Sequence, residues 1–295
     1  MPQPMPPRPL AATGPNAEQI EYWNEKSGPK WVAYADLLDA QIGPIGELAM
    51  DRAKIHEGER VLDVGCGCAQ TTLQLAARVG ARGRVLGVDI SGPMLARARA
   101  RAAAAPAARM EFLLADAQTA ALERGAFDLV FSRFGVMFFA DPIAAFANLR
   151  RALAPRERLA FVCWQALDRN PWMAVPLSAA AKHVKLPPPP LPGTPGPMAL
   201  ADPERVARIL DQAGFQGASL ESVETKLVIG GGGSVEDAAR FLLEGVGPTS
   251  QALREAGAGA MDRVGPAVRA ALERYRTPRG VEMGAAVWIV TASRD

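Results

Sequence analysis

The stretch from Arg60 to Thr72, Arg60-Val61-Leu62-Asp63-Val64-Gly65-Cys66-Gly67-Cys68-Ala69-Gln70-Thr71-Thr72, constrains this chain more than any other. A short apolar run ends in an acid, turns on two glycines one residue apart, and leads into the helical pattern Leu73-Gln74-Leu75-Ala76-Ala77-Arg78. It reads as a strand, a tight turn and a helix start. A missing Cβ at Gly65 and Gly67 lets the backbone turn sharply and lets a flat ligand lie on the main chain. Open α/β sheets bind nucleosides at such a turn, at the carboxyl end of the first strand.

The residues around the glycines separate the ligands that could use this turn. A P-loop needs Gly-Lys-Ser/Thr further on, and the sequence has none. A dinucleotide fingerprint starting at Gly65 needs Gly or Ala as its sixth residue, where Gln70 stands. What remains, Asp63-x-Gly65-x-Gly67, resembles the nucleotide loop of the class I S-adenosylmethionine-dependent methyltransferases. The resemblance implies that the acid helps hold the methionine amino end and that the glycines lie along methionine and ribose. Cys66 and Thr71 fall in the same loop and count among the expected cofactor-binding residues. The family's usual third glycine is Ala69 here.

Two further strand ends carry an acid. The run from Arg84 to Asp89 reads as a second strand, and a carboxylate at Asp89 offers two acceptor oxygens to the ribose hydroxyls. This acid is shared with NAD enzymes, so it supports a nucleoside without choosing between cofactors. Ile90 and Met94 follow where they can touch adenine or join the core. A third strand, Met110 to Leu114, leads to Ala115-Asp116-Ala117. In the family this sequence resembles, an acid at Asp116 accepts from the adenine amino group, and the N–H of Ala117 meets a ring nitrogen.

The fourth strand, Ala126 to Ser132, is followed by Arg133-Phe134-Gly135-Val136-Met137-Phe138-Phe139. The Asn/Asp-Pro-Pro-Tyr/Phe motif of nucleic-acid amino-methylating enzymes is absent. The segment is similar to that of the small-molecule methyltransferases, including the quinone- and sterol-modifying ones. Ser132 and Arg133 are candidate cofactor-site residues, with Arg133 beside the methyl position where it could also meet an acceptor oxygen. The aromatic residues point to an apolar acceptor or to core packing. Asp141-Pro142 starts a helix with Ile143, Phe146, Leu149 and Leu153 as its apolar face, ended by Pro155, and the run from Leu159 to Trp164 is the fifth strand. Trp164 at its end can face the acceptor.

The resemblance implies a Rossmann-like, doubly wound, seven-stranded α/β sheet whose last strand is antiparallel beside strand six. Residues 1–15 read as a disordered proline-rich tail and 16–52 as a helical lid, in which Trp31, Tyr34 and Leu38 share a face. Trp23 and Trp31 flank a hinge at Ser27-Gly28-Pro29 and either cap the cofactor or pack on the sheet. Residues 53–169 form the cofactor-binding core. Residues 170–200 are an insert holding a helix around Met173 to Val184 and a stiff loop with seven prolines between 187 and 197. Residues 201–295 complete the sheet, with strand six near Ala218 to Ile229, a helical insert over 234–276 and a last strand from Val281 to Thr291. Such inserts roof the acceptor pocket in the resembled family.

A net charge of +2 gives no strong pull toward nucleic acid or anionic membrane. Arg97 and Arg101 share a helical face and read as solvated surface rather than a basic patch. Three cysteines, two alternating with the loop glycines, make neither a disulfide framework nor a metal site. The expectation is a cytoplasmic enzyme with no membrane insertion, S-adenosylmethionine as cofactor, no metal, and a small lipophilic or aromatic acceptor methylated on oxygen or carbon. His183 is a candidate base, and His56 reads as surface. A nucleotide-dependent oxidoreductase and a non-catalytic cofactor-binding protein are the rival readings.

Overall fold

The computed structural model describes residues 9–105 and 109–295; residues 1–8 of the proline-rich tail lie outside the described residues. Helices α1 (Ala17–Glu21), α2 (Gly28–Ala33) and α3 (Ala35–Arg52) precede the sheet, with a π-helical turn at Tyr22–Lys26. The core alternates β1 (Arg60–Val64), α4 (Gln70–Val79), β2 (Arg84–Asp89), α5 (Gly92–Ala103), β3 (Arg109–Leu114), β4 (Phe127–Arg133), α6 (Pro142–Ala152) and β5 (Leu153–Trp164). Then come α7 (Pro171–Ala180), α8 (Pro203–Gln212), β6 (Gln216–Ile229), α9 (Val235–Glu244), α10 (Pro248–Ala256), α11 (Ala260–Leu272), the two-residue β7 (Arg276–Thr277) and β8 (Gly280–Ser293).

The sheet order is β3-β2-β1-β4-β5-β8-β6, with β7 paired to β8. The first five strands in that order run parallel, while β8 lies between β5 and β6 and is antiparallel to both. Strand order reverses between β1 and β4, and in open α/β sheets ligands bind in the crevice beyond the carboxyl ends at that point. Asp63 sits in β1 opposite Gly87 of β2 and Phe131 of β4, so the acid of the glycine turn is at the centre of the sheet. Val61, Leu62, Leu129, Val130, Phe131, Leu159, Ala160 and Phe161 are wholly buried, as expected for central parallel strands covered on both faces.

Helix starts follow side-chain chemistry. Ser91 caps α5 by accepting from the Met94 N–H, and Asp141 caps α6 by accepting from the Ala144 N–H. In α6 the buried face is Ala145, Phe146, Leu149 and Ala152; Ile143, expected on that face, is exposed. Leu153 is not helical and already pairs with Phe127, so β5 begins before Leu159. The register then shifts, and the residues between are taken up where Arg156 adopts φ +67°. An exposed arginine thus occupies a left-handed position that ordinarily favours glycine. The helix of the first insert ends at Ala180, short of Val184.

Candidate cofactor and acceptor site

At the tip of β1, the Asp63 carboxylate is fully buried. Its Oδ2 accepts from the hydroxyls of Thr71 and Thr72, each at 2.7 Å. Its Oδ1 has no hydrogen-bond partner among the described residues. Burial pushes this carboxyl group up to about 6, and the two threonines and the nearby Arg133 only partly oppose that. A buried carboxylate oxygen without a partner is costly, and a cationic donor reaching it would remove the cost. Asp63 is thus suited to an ammonium group approaching from the turn.

Gly65 and Gly67 have φ of +68° and +55°, and both are closely covered. A Cβ on Gly65 would lie 2.7 Å from the Gly135 Cα, and one on Gly67 would lie 2.9 Å from the end of Met94. Glycine is required here by backbone sign and by space together. Cys66 turns inward into a small cluster with Ala69, Leu95 and Ala98, and its Sγ is a packing atom. Ala69, standing where the family has glycine, takes φ +70°.

At the tip of β2, Asp89 accepts from the N–H of Gly67 and of Ser91, both at 2.8 Å. Burial raises this carboxyl group, against these backbone donors. Beyond β3, Asp116 accepts from the N–H of Gln118 and the side chain of Asn16, both at 2.9 Å. Ala117 lies beside it, buried. Each acid is held in a defined orientation by amides, which is how a carboxylate is aimed rather than merely placed.

At the carboxyl end of β4, Ser132 donates its hydroxyl to the Val64 carbonyl at 2.7 Å. Arg133 is mostly buried; it donates to the Gln70 side chain and its other Nη stands 3.9 Å from Asp39. Phe134 takes φ +64°, uncommon for a bulky residue, and stacks on Trp164 with ring centroids 4.1 Å apart and planes within 8°. Trp164 in turn touches Trp172 of α7, centroids 5.2 Å apart. Trp172 is 7 % exposed, and its indole Nε1 has no hydrogen-bond partner among the described residues.

The segment before β1 covers these tips. Trp23 meets Phe138 edge-on at 5.0 Å and Trp31 at 5.9 Å, while Met94, Cys68 and Ala35 form the apolar layer beneath the two tryptophans. The Trp23 carbonyl accepts from the Ser91 hydroxyl, and the Asn24 side chain donates to the Ile90 carbonyl and accepts from the Gly92 N–H. At the expected hinge, a Cβ on Gly28 would fall 2.0 Å from the Trp23 carbonyl oxygen, so only glycine lets the chain turn there.

The methyltransferase domain family profile matches residues 61–156. This chain carries a class I S-adenosylmethionine-dependent methyltransferase domain. Among curated proteins, an aklanonic acid methyltransferase from Streptomyces is 34 % identical over 118 residues, covering 40 % of this chain and 54 % of that protein. A demethylmenaquinone methyltransferase from Thermus thermophilus is 42 % identical over 112 residues, covering 38 % of this chain and 50 % of that protein. The chain thus spans about half the length of these curated relatives. A phosphoethanolamine N-methyltransferase from Haemonchus contortus, solved with S-adenosylhomocysteine and phosphomonomethylethanolamine, shares the fold: TM-score 0.58, 18 % identity, 96 % of this chain and 60 % of that one.

Several partners of the methyltransferase domain had no signal in the sequence. Asn16, Asn24 and Asp39 are single polar residues outside any motif, and Gln70 serves there only to exclude a dinucleotide fingerprint. Arg101 is corrected outright: its side chain is 16 % exposed, not solvated, and bonds Asp36, Asp39 and the Cys68 carbonyl, tying α5 to the lid and the glycine turn. Alternation with Arg97 and Arg99 hid it, because partners contributed by α3 cannot be read from α5 alone. His183 and His56 are both exposed, so the structure keeps the candidate base at the surface. No helix among the described residues is long and apolar enough to cross a membrane.

Proposed function

We propose that the chain transfers a methyl group from S-adenosylmethionine to oxygen or ring carbon of a small, planar, oxygen-bearing aromatic acceptor. The observation that carries this reading is the ring layer of Phe134, Trp164 and Trp172 at the carboxyl ends of β4 and β5, with an unpaired buried indole N–H at its edge. An apolar ring fits against such a layer, and an oxygen on it would satisfy the donor. The relatives named for aklanonic acid and demethylmenaquinone support an acceptor of that class.

When bound, the cofactor supplies an electrophilic methyl carbon on a sulfonium. The chain supplies alignment. Asp63, through its unpartnered Oδ1, accepts from the amino end; Asp89 accepts from the ribose; Asp116 and the Ala117 N–H receive the adenine edge. Thr71, Thr72 and Ser132 hold these groups and the turn in place. Trp23 and Trp31 exclude water from above, which favours in-line attack over side reactions. A phenol or enol acidic enough to ionise near neutral pH needs no general base, which suits a chain whose two histidines are exposed.

The test is incubation with methyl-labelled cofactor and a panel of hydroxyquinones, phenols, amines and oligonucleotides, with products separated by chromatography. Label in the first two classes is the expected result. Label confined to amines or nucleic acid overturns the acceptor reading. Retention of NAD(H) in preference to S-adenosylhomocysteine overturns the cofactor.

A further inference from the structure

We infer that Asn16, far from the glycine turn in sequence, is a positioning residue for adenine recognition. It makes the lid segment part of the purine site. This rests on the proposed cofactor reading, in which Asp116 receives the adenine amino group.

Asn16 is 3 % exposed although it stands in the turn just before a five-residue helix. Its side chain caps nothing in that helix. Instead Nδ2 donates to Asp116 Oδ1 at 2.9 Å across 100 residues of sequence, and Oδ1 accepts from the Ala140 N–H at 2.7 Å. One amide therefore ties the end of β3 to the loop after β4, and both of its polar ends are satisfied in a buried place. Such a doubly bonded buried amide fixes the geometry around it more sharply than apolar contact does.

The effect on Asp116 is specific. Among the described residues, Oδ1 takes two donors, Asn16 and the Gln118 N–H, while Oδ2 has only the Thr119 hydroxyl at 3.4 Å. A carboxylate held at one oxygen by two amides presents the other oxygen in a fixed direction. An exocyclic amino group arriving there meets an acceptor that needs no reorientation, whereas a purine without that group gains nothing. Asn16 thus acts on discrimination at the purine six-position, through Asp116.

The segment carrying Asn16 is anchored independently on the neighbouring strand tip. Asn24 bridges the Ile90 carbonyl and the Gly92 N–H, and the Trp23 carbonyl receives the Ser91 hydroxyl. Removing the Asn16 amide therefore leaves the lid in place and frees the Asp116 carboxylate together with the Ala140 N–H.

The experiment uses the full chain and isothermal titration with two probes: S-adenosylhomocysteine, and its analogue with hydrogen in place of the purine amino group. For Asn16→Ala we expect affinity for the amino form to fall about tenfold, as for a hydrogen bond to a charged group made less well. Affinity for the analogue should hold within roughly twofold, so that the preference between probes collapses. On an Asp116→Ala background the same change should do nothing further. Asn16→Asp, which sets a second carboxylate against Asp116, should lose the preference as well, and thermal melting reports that each variant is folded. Equal loss for both probes would mean that Asn16 only supports lid packing, and tighter binding by Asn16→Ala would mean that it competes with adenine; either overturns the inference. Failure of the unaltered chain to bind S-adenosylhomocysteine overturns the cofactor reading itself, and this inference with it.

Discussion

Asp63→Asn should make the chain more stable at neutral pH while removing its ability to hold the cofactor. The wild-type carboxyl group rises from 3.8 to about 6 because it is buried, with an oxygen that no group among the described residues bonds. At roughly 1.4 kcal/mol per pH unit, the folded chain carries about 3 kcal/mol of penalty for keeping Asp63 ionised above pH 6. The sign follows from proton counting: between 3.8 and about 6 the folded state binds the proton more tightly than the unfolded one, so this group adds stability as pH falls through that window and costs it above. An asparagine keeps an acceptor for Thr71 and Thr72 but leaves its own amide donors facing the unpartnered side. That returns part of the gain, leaving about 1–2 kcal/mol net at pH 8. Urea unfolding at a series of pH values from 8 to 4 reads the difference directly. Asp89 and Asp39 are also raised by burial, but they are common to both proteins and drop out of the comparison. The two stabilities should converge as pH falls toward the ordinary carboxylate range. A variant less stable than wild type at pH 8, by an amount independent of pH, would refute the argument. S-adenosylhomocysteine binding should be lost throughout.

Gly65→Ala puts a Cβ 2.7 Å from the Gly135 Cα at φ +68°; it should cost about 2–3 kcal/mol in denaturant unfolding and abolish cofactor binding, and unchanged affinity in calorimetry would reject the turn as the cofactor site. Arg156→Gly releases an exposed residue from φ +67° and should stabilise the chain by about 0.5–1 kcal/mol, seen as a higher melting temperature; a lower one means the arginine side chain matters more than its backbone. Trp172→Phe deletes the unpaired indole N–H while keeping the ring. With an active acceptor it should raise that acceptor's KM about tenfold and leave the cofactor affinity unchanged; an unaltered KM would deny the indole a role in acceptor binding.

The parallel half of the sheet was legible because its signals are local. Apolar runs ending in an acid, glycines at a fixed offset, and Ser91 or Asp141 before a proline each state their conformation within a few residues. The place of β8 beside β6 had no such local signal and was expected from the family resemblance alone. The local rules failed at Leu153 because a helix face and a strand start are equally apolar; what decides there is pairing with Phe127, a contact made across 26 residues. The prediction that Ile143 is buried failed for the related reason that periodicity assigns a face but not its width.

The candidate site was legible only on its sheet side. Asp63, Asp89 and Asp116 announce themselves at strand ends, yet Asp116 is oriented by Asn16 from the turn preceding α1, and the Arg133 near Asp63 is held from helix α3. Gln70 was informative in the sequence only as the residue that spoils a dinucleotide fingerprint. In the structure it has a positive use: its amide donates to the Asp39 carbonyl and accepts from Arg133, fastening α3 to the first turn of α4. Two glycines of α3 make that approach possible, since a Cβ on Gly43 would lie 2.8 Å from the Gln70 amide and one on Gly46 3.0 Å from the Arg133 Cδ. The buried Arg133 is consequently held by Gln70 and Asp39 and lies close enough to lower Asp63's raised carboxyl group. One buried cation thereby couples the lid helix to the acid that would take the amino end. Loosening α3 should therefore weaken that acid's hold on a ligand even where no lid atom touches it, through Arg133 rather than through shape.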